Sequence, residues 1–181
     1  VNSYFKTAEE FYNNKNYDTA IIYYIKARDQ FEVSKTWENY LICQTKHSKC
    51  LQKKGLYNNS INEIKLSINK VLLYLNENET SVADAYHTIG VQYYLQTKYD
   101  SSLYYWKKTL DIRKIIYGEK HIDVAKSYNN IGVLFKLKNE YQLALQYYFN
   151  SLNLKKDLLG EKHIDVASTY NNIGVIYSDF N

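Results

Sequence analysis

The segment GEKHIDVAKSYNNIGV at residues 118–133 returns as GEKHIDVASTYNNIGV at 160–175, with fourteen of sixteen letters identical at a shift of 42 positions. A third copy, NENETSVADAYHTIGV at 76–91, lies another 42 residues upstream and keeps Val82, Ala83, Tyr86, Ile89, Gly90 and Val91. The stretches that follow also repeat, opening at Tyr17, Tyr57, Tyr99 and Tyr141, which are 40, 42 and 42 residues apart. A period in this range is the mark of a chain built by stacking one supersecondary unit on the next. Such a chain has no single central core, because each unit packs only against its neighbours.

Each unit reads as two helices. In the third, Val82, Tyr86, Ile89 and Tyr93 recur at spacings of four, three and four, which is an amphipathic helical stripe and not the period two of a strand. This predicts a first helix over 82–96 and a second over 99–116, with Leu103, Trp106, Leu110 and either Ile112 or Ile115 facing inward. Gly118 and Gly160 are placed to stop the second helices. Asp123, Asp165 and Ser81 share one register and are expected to cap the first helices, since a carboxylate or hydroxyl accepts from free N–H groups at a helix start.

Small residues recur where helices must approach. Gly90, Gly132 and Gly174 fall mid-helix at one register, with Ala8 and Ser48 in the first two units. Each glycine costs roughly 1 kcal/mol relative to Ala, so its repetition asks for a packing reason. Ala20, Ser60, Ser102 and Ala144 play the same part on the second helices. Tyr24, Trp106 and Tyr148 are the large partners they receive.

Composition narrows the class. There is no Pro, six Gly and 21 Tyr in 181 residues, which favours long helices with short connections. No apolar run approaches the roughly 18 residues of a membrane helix, so no membrane partner is expected. Cys43 and Cys50 lie two helical turns apart, roughly 10 Å, beyond disulfide reach. Reduced thiols suit a cytoplasmic protein. The net charge of +4 is concentrated: residues 35–70 hold seven Lys against two Glu. One local basic patch argues against binding nucleic acid through phosphates. No phosphate-cradling Gly loop, metal-ligand spacing or nucleophile elbow is present, so neither an enzyme nor a cofactor is expected.

The pattern resembles the tetratricopeptide repeat family, most plainly in Tyr4, Ala8, Phe11, Tyr17, Ala20, Tyr24 and Ala27 of the first unit. The 42-residue units with their Gly-Glu-Lys-His-x-Asp-Val-Ala loop resemble the longer repeats of kinesin light chain, with Ile122 and Ile164 where that family usually has Pro. The resemblance implies an all-α, right-handed superhelical solenoid of antiparallel helix pairs. Its units fall at about 1–34, 37–76, 80–117, 122–159 and 164–181, the last incomplete, giving five first helices and four second helices. The apolar character of Ile173, Val175 and Ile176 leads us to expect a longer parent chain.

The resemblance also implies binding of a protein or peptide segment along the concave face lined by first helices. Asn129, Asn130, Asn171 and Asn172 sit on those helices, aligned with His87 and Thr88. An amide offers donor and acceptor to a peptide group, and bonding between adjacent repeats is the alternative use. Lys46, Lys49 and Lys53 form one helical stripe, extended by Lys126, which would draw an acidic partner or lie as a solvated face. Phe5, Tyr12, Val91, Tyr94, Val133 and Val175 are the apolar candidates for the same groove. His121 and His163 are expected to serve the loops, because equivalent positions in stacked units are too far apart to share a metal. A second reading makes the array the regulatory arm of a larger effector carrying a protease or ATPase domain. Self-association through the end after the fifth first helix is a further expectation.

Overall fold

A computed structural model describes residues 2–179. Among them nine α-helices follow one another and no strand occurs: α1 (Ser3–Asn13), α2 (Tyr17–Val33), α3 (Trp37–Lys53), α4 (Tyr57–Val71), α5 (Thr80–Leu95), α6 (Tyr99–Tyr117), α7 (Ile122–Leu137), α8 (Tyr141–Leu159) and α9 (Ile164–Asp179). Consecutive helices pack as antiparallel pairs, and each pair packs on the next, forming an all-α repeat array.

Within each pair the turn has three residues, and the middle one is left-handed: Lys15 (φ 60°), Gly55 (75°), Thr97 (57°) and Asn139 (60°). The residue after it returns its N–H to a carbonyl five positions back, as in Asn16 to Phe11, Leu56 to Leu51, Lys98 to Tyr93 and Glu140 to Phe135, all at 2.9 Å. This closure satisfies the last carbonyls of the first helix and fixes the reversal of the chain. Only the second unit uses Gly at the left-handed position.

The other connections correct one expectation. Gly118 (φ 78°) and Gly160 (φ 83°) end α6 and α8, but the cap of α7 is His121 and not Asp123. The helix begins at Ile122, so residue 121 takes the extended cap position (φ −139°) and its Nδ1 accepts from the Asp123 N–H at 3.2 Å. His163 does the same for Asp165 at 3.1 Å. Asp123 and Asp165 lie inside the first turn, where their charge complements the positive end of the helix. Ser81 is likewise inside α5 and buried.

The small and large residues interlock. Tyr24, Trp106 and Tyr148 are buried against the small positions of their partner helices. Ser60 Oγ donates to the Ser48 carbonyl at 3.0 Å, and Ser102 Oγ to the Gly90 carbonyl at 2.8 Å. Serine alternates with Ala at this register because it stays small and meets its own hydrogen-bond need. Ile112 is buried and Ile115 is 65% exposed, which settles the inward face of α6. Fully buried Ile64 and Ile89 belong to one apolar cluster and Ile131 and Ile176 to the next, each side chain worth roughly 1.5–3 kcal/mol of burial.

The first-helix seams differ. α3 packs directly on α5, where fully buried Gln92 donates to Ser60 Oγ at 2.6 Å, tying α5 to the second unit. The α1/α3 and α5/α7 seams instead hold open grooves. Much of the basic patch is spent on the first unit: Lys46 pairs with Glu9 at 2.9 Å, Lys54 with Asp18 and Lys70 with Glu32. The local charge excess therefore joins two repeats.

Candidate ligand-binding groove

The first helices form one face of the array, and the grooves between them are where the predicted site residues converge. The α5/α7 groove, about 360 Å³, is lined by Asp84 and His87 of α5, Arg113 of α6, and Asp123, Lys126 and Asn130 of α7, with Lys49 reaching in from α3. Beside it, Lys49, Lys53, His87, Thr88 and Val91 line a smaller groove, about 220 Å³, with Tyr12. Four predicted residues, Lys49, His87, Lys126 and Asn130, thus meet at one place, and Lys53 adjoins it.

Arg113 organises the groove. Its guanidinium donates to Asp84 Oδ1 at 3.0 Å, to Ser127 Oγ at 3.0 Å and to the Asp123 carbonyl at 3.4 Å. One side chain thereby ties α5 to α7 across the groove floor. Lys126 pairs with Asp123 at 3.3 Å. The formal count is three cations, Lys49, Arg113 and Lys126, against two carboxylates, Asp84 and Asp123.

His87 stacks on Trp106, ring centroids 5.9 Å apart and 18° from parallel. Its carbonyl accepts from the indole Nε1 at 3.2 Å. Burial, then Arg113 and Lys49, push its pKa down to about 4. The imidazole is therefore neutral near pH 7 and can both donate and accept. Lys49 is also pushed down, first by burial and then by Lys46. No ion pair or hydrogen bond joins its ammonium among the described residues. A half-buried, unpaired ammonium beside an amide and a neutral imidazole favours a carboxylate or a peptide group.

The remaining predicted residues are placed elsewhere. Lys46 is held by Glu9, which also accepts from Tyr24 Oη. Asn172 Nδ2 donates to Asn129 Oδ1 at 3.2 Å, so these two bond between adjacent repeats. Asn171 is exposed on α9, away from the groove. Tyr94 packs at 5.8 Å from Trp106 and 6.4 Å from Tyr99, as part of the core. Phe5 lines the α1/α3 groove with Phe31 and Ile42. Sequence reasoning missed Arg113 and Asp84. A signal existed: Arg113 is one of two arginines in the chain and stands where Phe31 and Val71 stand in earlier units.

Among the described residues no cluster of His, Cys, Asp or Glu could hold a metal ion, and no helix is long and apolar enough to cross a membrane. Cys43 and Cys50 are free and buried, with burial pushing both thiols up to about 12.

Comparison with known proteins places this architecture. Residues 81–157 match the tetratricopeptide repeat family. A comparison with the curated proteins found no match. Among solved structures, the chain is similar to the nearly identical TPR-like repeats assigned to a kinesin light chain of Podosopora anserina, with TM-score 0.79 and 12% identity over 97% of this chain and 84% of that one. It is similar to BtubC (BKLC) from P. vanneervenii, with TM-score 0.75 and 20% identity over 88% of this chain and 65% of that one. It is also similar to a Rap protein complexed with Competence and Sporulation Factor, with TM-score 0.71 and 13% identity over 96% of this chain and 52% of that one. The chain thus spans just under two thirds of BtubC and about half of the Rap protein, and at these identities the likeness is one of fold. Residues 81–157 thus match the tetratricopeptide repeat family by sequence, and the described chain as a whole shares the fold of TPR-like helical repeat arrays.

Proposed function

We propose that the array is a scaffold that binds an extended protein or peptide segment across its first-helix face, with the α5/α7 groove as the polar anchor. The observation that carries this reading is the unpaired, half-buried Lys49 ammonium beside His87 and Asn130. Burying a charge without a partner is costly, and an acidic or carbonyl group of a ligand removes that cost on binding. A Rap protein of the same fold, complexed with Competence and Sporulation Factor, is consistent with an array of this kind holding a partner.

A pull-down or peptide-array screen with the intact chain tests the proposal. Binding that falls on Lys49→Gln with Asn130→Ala, and survives Asn172→Ala, is the expected outcome, because Asn172 is already engaged with Asn129. Binding indifferent to Lys49 and Asn130 would move the site to the second-helix face.

A further inference from the structure

The α1/α3 and α5/α7 grooves are one position in the repeat, two units apart. Phe5, Phe31 and Ile42 stand in the first where His87, Arg113 and Lys126 stand in the second. Asn2 and Asn39 stand where Asp84 and Asp123 stand. The backbone makes the same recess twice, and the side chains give it opposite chemistry. The first recess, about 410 Å³, has three apolar side chains and no charge. The second carries a surplus cation.

Resting on the groove reading above, the geometry points to a bipartite ligand: one bulky apolar side chain for the Phe5–Phe31–Ile42 recess and one carboxylate for the Lys49–Arg113–Lys126 recess. The spacing follows from the fold. The packed α3/α5 axes lie about 8–10 Å apart and half of each open seam adds to that, so the two recesses are separated by on the order of 20 Å. An extended chain advances about 3.3 Å per residue, which puts the two side chains roughly six residues apart. The carboxylate belongs at the second recess because Arg113 and Lys126 are already matched by Asp84 and Asp123, while Lys49 is not. The segment between crosses the packed α3/α5 seam past the small groove beside exposed Lys53, which tolerates acidic residues there.

The test is fluorescence anisotropy on labelled synthetic peptides of about ten residues, long enough to span both recesses. Each carries one Phe and one Asp in a Ser/Gln background, at every separation the peptide allows and in both chain orders. The tightest binding is expected near six residues of separation in one of the orders, about tenfold above adjacent placement or either residue alone. Lys49→Gln is expected to abolish the preference for Asp and keep that for Phe. Ile42→Asn is expected to do the reverse, with helicity of both variants checked by circular dichroism. Binding that ignores the separation, or a loss of both preferences in each folded variant, overturns the bipartite rule and leaves the groove reading intact. Absence of saturable binding by every peptide overturns both.

Discussion

The indole of Trp106 occupies the space that a side chain on residue 90 would need: its Cδ1 and Nε1 lie 2.3 Å and 2.4 Å from where a Cβ on Gly90 would stand. At Gly132 the ring of Tyr148 comes to 2.8 Å, and at Gly174 nothing among the described residues lies within 4 Å. One sequence register therefore has three different packing states.

Alanine substitution should rank in that order. Gly90→Ala forces the indole to move, endangering its bond to the His87 carbonyl, and is expected to cost about 3 kcal/mol. Gly132→Ala is expected to cost about 2 kcal/mol by the same crowding. Gly174→Ala should stabilise by up to about 1 kcal/mol, since only helix propensity changes. Urea denaturation of the three variants checks the order.

Thr97 is a β-branched residue at a left-handed turn position, φ 57°. That backbone is costly for such a side chain. Thr97→Gly is expected to stabilise by about 1 kcal/mol, as Gly55 already does at the equivalent turn. Asn139→Gly should change little, because Asn tolerates the conformation. Thermal melting of both variants distinguishes them.

Glu9 gathers Tyr24 of α2 and Lys46 of α3, stapling three helices. Tyr24 is fully buried, so Glu9→Ala leaves its hydroxyl without this acceptor and should cost about 2–3 kcal/mol. Glu9→Gln keeps an acceptor and should cost less. Lys46→Met should cost under about 1 kcal/mol, because that ion pair is partly open to solvent. Denaturant midpoints of the three variants test the ranking.

Acid should weaken the array partly through His87. Its pKa is near 6.5 unfolded and about 4 folded, so between those values the unfolded chain binds the proton first. The stability it contributes is full above pH 6.5 and is lost as pH falls through 4. The loss is about 2 kcal/mol after allowance for its partial exposure. The difference in pH dependence between wild type and His87→Gln is the measurement. Buried His47, whose pKa is also lowered by burial, contributes equally to both proteins and cancels. A His87→Gln curve parallel to wild type from pH 7 to 4 would refute the assignment.

The helices and their small–large packing were legible because identical letters recur at a fixed shift, and period and packing are both local to a unit. The capping histidine was not, because an Asp at the cap and an Asp two residues further, inside the first turn, look alike until the first helical residue is known. Asn129 and Asn130 were inseparable in sequence as well. They are neighbours in the chain, yet one faces Asn172 and the other the groove. Arg113 escaped notice because it lies on a second helix, away from the stripe of first-helix lysines it meets in space.

The buried chain of bonds from Gln92 of α5 to Ser60 of α4, and from Ser60 to the Ser48 carbonyl of α3, locks the packed α3 and α5 into a stiff bar at the centre of the array. The α1/α3 and α5/α7 recesses lie on either side of that bar. Thermal motion that frays α9 therefore leaves the separation of the two recesses nearly unchanged. The array behaves as a caliper, its reach set by a hydrogen bond no solvent touches.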